Sequence, residues 1–517
     1  MNRRLARSLA AAGAVLAAGC GMLEPRLPVA EPSIPPEWPT AGETAAMATA
    51  AATATAADIG WRAFFVDPRL QEVVALALAN NRDLRVAILN VERAQALYRV
   101  QRADRVPSVG ANATMTRTGG DGPLSETYTA DLGITEFELD LFGRVRNLSD
   151  AALQRYFAQE EARRSAQLAL VAAVANTYLT LAADQEQLRL ARSTLRTREE
   201  SHALTEKRYA LGAVSALDLS QSRTEVEAAR AGEARFAGQV AQTSNALQLL
   251  VGAPVPPALL PASFGASLTG LAPLPAGLPS DVLLRRPDVM AAEHQLRAAN
   301  ADIGAARAAF FPSITLTGAT GSVSDELSGL FDAGTRTWAF IPQVNVPIFQ
   351  GGRLRAGLAA ATAERDIALA QYEGAIQASF REVADALALT TTLEAQRAAR
   401  QATVDAATEA DRLSRARYEA GLDSYLVLLV AQRTLYLAEE ALVLTQLAEQ
   451  ANRVTLYKAL GGGWQEAGPL TAARPAAPGR RRAPRPSANA SCVRRRNASS
   501  STAFTPPAWR TSQRRRR

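Results

Sequence analysis

Residues 144–210 and 353–419 run without a single proline and with almost no glycine. At about 1.5 Å per residue, either stretch as one helix would be on the order of 100 Å long. A globular core does not reach that width, and periodic patterns well past about 25 residues belong to coiled coils or helical arrays. Many alanines stand between the Leu and Val positions, which lets neighbouring helices approach closely.

Both stretches belong to an internal duplication. Asp83 matches Asp288 and Pro107 matches Pro312 at an offset of 205. Phe142 in DLFGRVR matches Phe349 in PIFQGGRLR at 207, and Tyr209 in KRYALGAVSALDL matches Tyr418 in ARYEAGLDSYLVL at 209. Gly252 after LLV matches Gly461 after KAL, again at 209. A drift that runs in one direction over the whole unit marks two copies of one motif. Each copy reads helix, two strands, very long helix, turn, helix. First helices are expected over 69–104 and 285–309, where Val73, Leu76, Leu84 and Ile88 keep a three-to-four spacing. Third helices are expected over 216–251 and 424–460, after turns marked by Gly212 and Gly421. The predicted division is a first repeat over 61–252, a Pro- and Gly-rich linker over 253–284 and a second repeat over 285–464.

Between the first and long helices the period changes to two. Val109, Ala111, Ala113 and Met115 alternate with Ser108, Gly110, Asn112 and Thr114; Tyr128, Ala130, Leu132 and Ile134 alternate with Thr129, Asp131, Gly133 and Thr135. The phase then slips, so that Phe137 and Leu139 are apolar while Glu136 and Glu138 are polar, as a bulge would produce. In the second copy Ile314 and Leu316 start one strand, and Trp338, Phe340, Val344, Val346 and Ile348 share a face of the other, with Pro342 arguing against an undisturbed central strand. Alternation alone fits a half-buried soluble sheet, and more readily so, as well as a membrane barrel strand. The number of strands shifts the balance. Four strands cannot close a barrel, and an open edge cannot sit in lipid. Three chains would supply twelve strands and, by the same symmetry, twelve long helices for a tube.

The N-terminus reads as an export signal, with a basic start at 1–8, an apolar run at 9–18, then Gly19 and Cys20. Small residues before a cysteine resemble the bacterial lipobox, with Ala17 where Leu is usual; this predicts a signal peptide over 1–19 and acylation of Cys20. In such lipoproteins Asp after the cysteine retains the product in the inner membrane, and Gly21 here favours the outer membrane. Residues 20–60, rich in Pro, Ala and Thr, are expected to form an extended tether. Residues 465–517 form a basic tail without periodicity, expected to be disordered and to reflect read-through or a shifted frame in a GC-rich gene. The net charge of +7 resides in that tail and the signal peptide: 13 Arg and no acid lie between Arg474 and Arg517, which leaves residues 20–473 at −9. No nucleic-acid partner is expected of an acidic folded region.

The duplicated unit, the lipobox-like cysteine, LDLFGR at 139–144, RYALGAVSALDL at 208–219, RPD at 286–288, IFQGGR at 348–353 and YKALGGGW at 457–464 together resemble the TolC-type outer-membrane efflux proteins, and within them the NodT-like lipoprotein branch. The resemblance covers about residues 60–464. It implies an α+β membrane protein: a homotrimer with a 12-stranded transmembrane β-barrel in outer membrane lipid, continued by a long periplasmic α-helical barrel. It further implies a passive duct served by a periplasmic adaptor and an inner-membrane RND transporter, with no cofactor. In that family the tube closes at the turns between long and third helices. The matching positions are Tyr209, Gly212 and Asp218 in the first copy, and Tyr418, Gly421, Asp423 and Leu426 in the second, with Leu426 as the apolar constriction. Val430 stands where relatives carry an Asp, so Asp423 is the nearest remaining carboxylate. Asp218 and Asp423 also suit helix-start caps equally well.

Two histidines, His202 and His294, and two cysteines, Cys20 and Cys492, are too few for a His/Cys zinc site. No G-x-x-x-x-G-K-[ST], G-x-S-x-G or H-E-x-x-H occurs, and no enzymatic activity is expected. His202 is placed on exposed helix surface. Two rival functions share these features: the outer-membrane part of a type I protein secretion system, and a periplasmic coiled-coil structural or adhesion protein, which the paired amphipathic strands weigh against.

Overall fold

The computed structural model describes residues 23–29, 34–35, 38, 59–264, 271 and 280–463. The signal peptide, Cys20 and the basic tail lie outside the described residues. The first copy contains α1 (Trp61–Phe64), α2 (Pro68–Asn80), α3 (Arg82–Ala103), β1 (Val109–Thr118), β2 (Ser125–Leu139), α4 (Arg144–Ala210) and α5 (Ala216–Val251). The second contains α6 (Pro287–Ala308), β3 (Ser313–Ser324), β4 (Arg336–Asn345), α7 (Arg353–Glu419) and α8 (Tyr425–Ala459). The proline-free stretches are two helices of 67 residues each.

The expected single helix over 69–104 is two. Asn81 has extended backbone angles, and its Oδ1 accepts the Leu84 N–H at 2.8 Å, which caps α3 and ends α2. Its Nδ2 donates to the Leu250 carbonyl at 2.8 Å. The second copy repeats this joint with different chemistry: Arg286, before α6, donates to the Ala459 carbonyl at 2.8 Å and pairs with Asp288 at 2.7 Å and Glu382 at 3.0 Å. In each copy the residue that starts the helix before the first strand, α3 or α6, holds a carbonyl freed at the end of the last helix.

The main core sits where the first of these joints meets α4. Trp61, Phe64, Phe65, Val73, Val74, Tyr178, Leu179 and Leu181 are buried together, each large side chain contributing about 1.5–3 kcal/mol. Phe64 stacks on Tyr457 at 3.9 Å between centroids, joining the first copy to α8. By length and composition alone, α4 contains one window apolar enough to cross a membrane. Most of it is buried, and Val171, Val174, Tyr178 and Leu181 within α4 belong to this core.

Described residues of the N-terminal segment contact the second copy. Arg307 donates to the Leu23 carbonyl at 3.1 Å, and Asn300 donates to Glu24 at 2.9 Å and to the Pro25 carbonyl at 2.8 Å. Farther on, Trp38 stacks on Phe380 of α7 at 4.7 Å. A Pro- and Ala-rich composition hides this, because most of these bonds use backbone carbonyls.

The four strands form one antiparallel sheet in the order β1-β2-β3-β4. Directly paired residues share a face, and the register places Met115 with Tyr128, Leu132 with Thr320, Thr320 with Trp338, and Gly318 with Phe340. One face thus collects most of the apolar and aromatic residues. The register shifts between Ile134 and Phe137, around Glu136 at φ 51°. That bulge puts Phe137 opposite Leu316 and Leu139 opposite Ile314, which keeps both on the apolar face and turns Glu138 to the other. β1 and β4 are the edges, and all ten residues of each are exposed. Pro342, which cannot complete a ladder, sits in edge strand β4. Val346 and Ile348 fall beyond the end of β4.

Candidate functional site: the helical tip

Each long helix ends in the same glycine turn. Gly212 and Gly421 have φ of 71° and 75°, where a Cβ is strained. Ala213 N–H reaches the Arg208 carbonyl at 2.9 Å and Leu422 N–H the Arg417 carbonyl at 2.9 Å, the six-residue closure of a Schellman motif. Ser215 and Ser424 then start α5 and α8.

From there the two copies diverge. In the first, Ser215 and Asp218 form a capping box: Ser215 Oγ accepts the Asp218 N–H at 3.2 Å, and Asp218 Oδ2 accepts from Ser215 N–H at 3.1 Å. In the second, position 427 is Val and Ser424 makes no side-chain cap. Asp423 lies one residue ahead of the helix start and is held by Arg417 through two bonds, Nε to Oδ2 at 2.6 Å and Nη2 to Oδ1 at 2.9 Å. That guanidinium holds the Asp423 carboxyl below the usual carboxylate range. The two aspartates therefore occupy different positions relative to their helices: Asp218 caps, whereas Asp423 is half of a bidentate ion pair.

Tyr418 is 4% exposed and packs with Tyr425 and Leu428. The Arg208 guanidinium of the first copy lies 4.6 Å from the centre of its ring and reaches the Tyr418 and Glu419 carbonyls at 3.5 and 3.4 Å. Deeper, Arg198 is 4% exposed, donates to Gln432 at 2.5 Å and approaches Glu225 at 3.8 Å. Burial raises the Tyr425 phenol, while nearby Arg198 opposes the rise. Arg208 and Arg198 thus lock the first hairpin, α4 and α5, to the second, α7 and α8. Sequence reasoning did not single out either arginine, because the partners of each in the second copy lie more than 200 residues away and no periodicity marks the contact. His202, expected on open surface, is partly buried, with Nδ1 2.8 Å from Ser222 Oγ.

Tyr209 stands apart, exposed. Leu426 and Val430, 54% and 56% exposed, lie one turn apart on α8. Leu437 and Leu444 extend that exposed apolar series along the helix.

A sheet with one apolar face, continued by 67-residue helices with a locked tip, fits a membrane channel protein. The chain belongs to the outer membrane efflux protein family, which matches residues 73–253 and 278–462. It is 47% identical over 462 residues to the probable efflux pump outer membrane protein TtgC of Pseudomonas putida, covering 88% of this chain and 94% of that protein. It is 48% identical over 416 residues to outer membrane protein OprJ of Pseudomonas aeruginosa, covering 79% and 87%. The structure superimposes with a TM-score of 0.78 on the open state of the MtrE outer membrane channel of Neisseria gonorrhoeae, at 39% identity and covering 86% of this chain and 99% of that one. The protein is accordingly an efflux channel component of the outer membrane that extends into the periplasm.

Proposed function

We propose that three copies of this chain close a twelve-stranded barrel and a continuous helical tube, the passive exit duct of a tripartite efflux system. The observation that carries this reading is the pair of open edges, β1 and β4, ten exposed residues each. In lipid those edges must be paired, and β4 of one copy against β1 of the next achieves it. The exposed apolar series on α8 and a similar one on α3, including Val86, Leu89, Leu97 and Val100, supply faces for neighbouring helices to cover. Relatives named as efflux pump components favour small-molecule export over protein secretion.

In this reading the periplasmic aperture is the tip. Leu426 and Val430 form apolar rings around the threefold axis, Tyr209 and Tyr418 flank the turns, and Asp218 and Asp423 place carboxylates at the entrance. Energy comes from an inner-membrane RND transporter through a periplasmic adaptor. Cys20, cleaved and diacylated, adds a two-chain anchor in outer membrane lipid; a mature N-terminal peptide lacking that mass refutes this part.

Deleting the chain from a cell that retains its pump and adaptor tests the duct. Export of the pump's substrates should fall to the level of a pump-deficient strain, and a plasmid copy should restore it. Undiminished export would overturn the assignment.

A further inference from the structure

The barrel wall carries a charge that the tip account does not use. Opposite the apolar face, the paired positions between the outer turns and the bulge are Thr, Ser, Asn, Gly and small apolar residues, with Asp131 as the one charged residue among them. The other charges of this region, Arg117, Glu126 and Arg336, lie on the apolar face, and Arg117 and Glu126 pair across strands at 3.2 Å. Below the bulge Glu138 is on the same face as Asp131 but is held by Arg144. Asp131 makes no ion pair or side-chain hydrogen bond among the described residues. Its cross-strand neighbours are Asn112 and Gly321. A Cβ at Gly321 would sit 2.1 Å from the Ala130 carbonyl and 2.8 Å from Asp131 Cβ, so the position admits no side chain that could cover the carboxylate.

We infer that Asp131 is a second selectivity element: three copies at one level of the barrel form an anionic collar that favours cationic over anionic solutes, independently of the tip. This rests on the trimeric-barrel reading, since the apolar face must meet lipid for Asp131 to face the lumen. A twelve-stranded lumen is wide, so the collar acts through its field and not by contact. Its reach is set by screening, about 10 Å at 0.1 M salt and about 30 Å at 0.01 M.

The test is the reversal potential of the purified full-length channel in planar bilayers under a KCl gradient. Asp131→Asn should lower the cation-to-anion permeability ratio by about twofold near 0.01 M salt and by less near 0.1 M. Asp131→Arg should lower it further. Asp423→Asn, at the other end of the tube, should leave the Asp131→Asn shift in place. An unchanged ratio in both Asp131 variants at low salt, with wild-type conductance, overturns the collar alone. Wild-type protein that forms no conducting pore overturns the barrel reading beneath it.

Discussion

Replacing Gly252 with alanine is expected to destabilise the chain by about 3 kcal/mol and to block channel assembly. Gly252 ends α5 at φ 73°, a left-handed conformation that costs a non-glycine residue about 1–2 kcal/mol. The new Cβ would also lie 2.5 Å from the Asn80 carbonyl oxygen and 3.3 Å from Asn81 Cα. Both are backbone atoms at the break between α2 and α3, so relief requires shifting the joint and adds about 1–3 kcal/mol. The displaced residue Asn81 is the one that caps α3 and holds the Leu250 carbonyl. Gly232→Ala, in the same helix, meets nothing within 4 Å and should instead stabilise by about 0.5–1 kcal/mol. Thermal unfolding followed by circular dichroism distinguishes them, and a Gly252→Ala protein as stable as wild type would remove this joint from the account.

Leu426→Ala should raise single-channel conductance. Leu426 is exposed in one chain and sits one residue past Tyr425, whose burial with Tyr418 and Leu428 fixes the opposite face of α8. Three such side chains on an axis make a dry constriction that opposes ions through the cost of desolvation. Loosening it by about 1.4 kcal/mol raises conductance about tenfold. Asp423→Asn should act on charge instead: it frees Arg417, leaving unpaired guanidinium groups at the entrance that shift preference toward anions. The hydrogen bonds from Arg417 hold the Asp423 carboxyl below the usual carboxylate range, so the pair persists at neutral pH and is lost only as the pH falls through that lowered range. If Leu426→Ala is silent and Val430→Ala raises conductance, the narrowest ring lies one turn deeper. If neither changes it, the aperture lies elsewhere.

Much of this architecture is legible in the sequence because long-range order has a local signature. Absence of proline marks α4 and α7, a period of two marks the strands, and the slip at Glu136 marks the bulge. The break at Asn81 is not legible, since Val73, Leu76, Leu84 and Ile88 keep helical spacing across it and only the Asn81 side-chain bonds show that the backbone turns. Docking of Leu23 to Pro25 on α6 is hidden because backbone carbonyls make most of it. At the tip, glycines and Asp218 are readable from turn and capping chemistry. Arg198 and Arg208 are not, because a cation's partner in another repeat leaves no trace in spacing. Asp423 reads as a cap and is an ion pair, a difference set by Arg417 six residues earlier on the other side of the turn.

The central claim is that the four-stranded sheet closes only with two further copies. Native mass spectrometry of the protein extracted from the outer membrane in detergent tests it most directly. A particle of three chains that loses integrity when detergent is removed is the predicted result; a particle of one chain, stable in water with β1 and β4 unpaired, would contradict it.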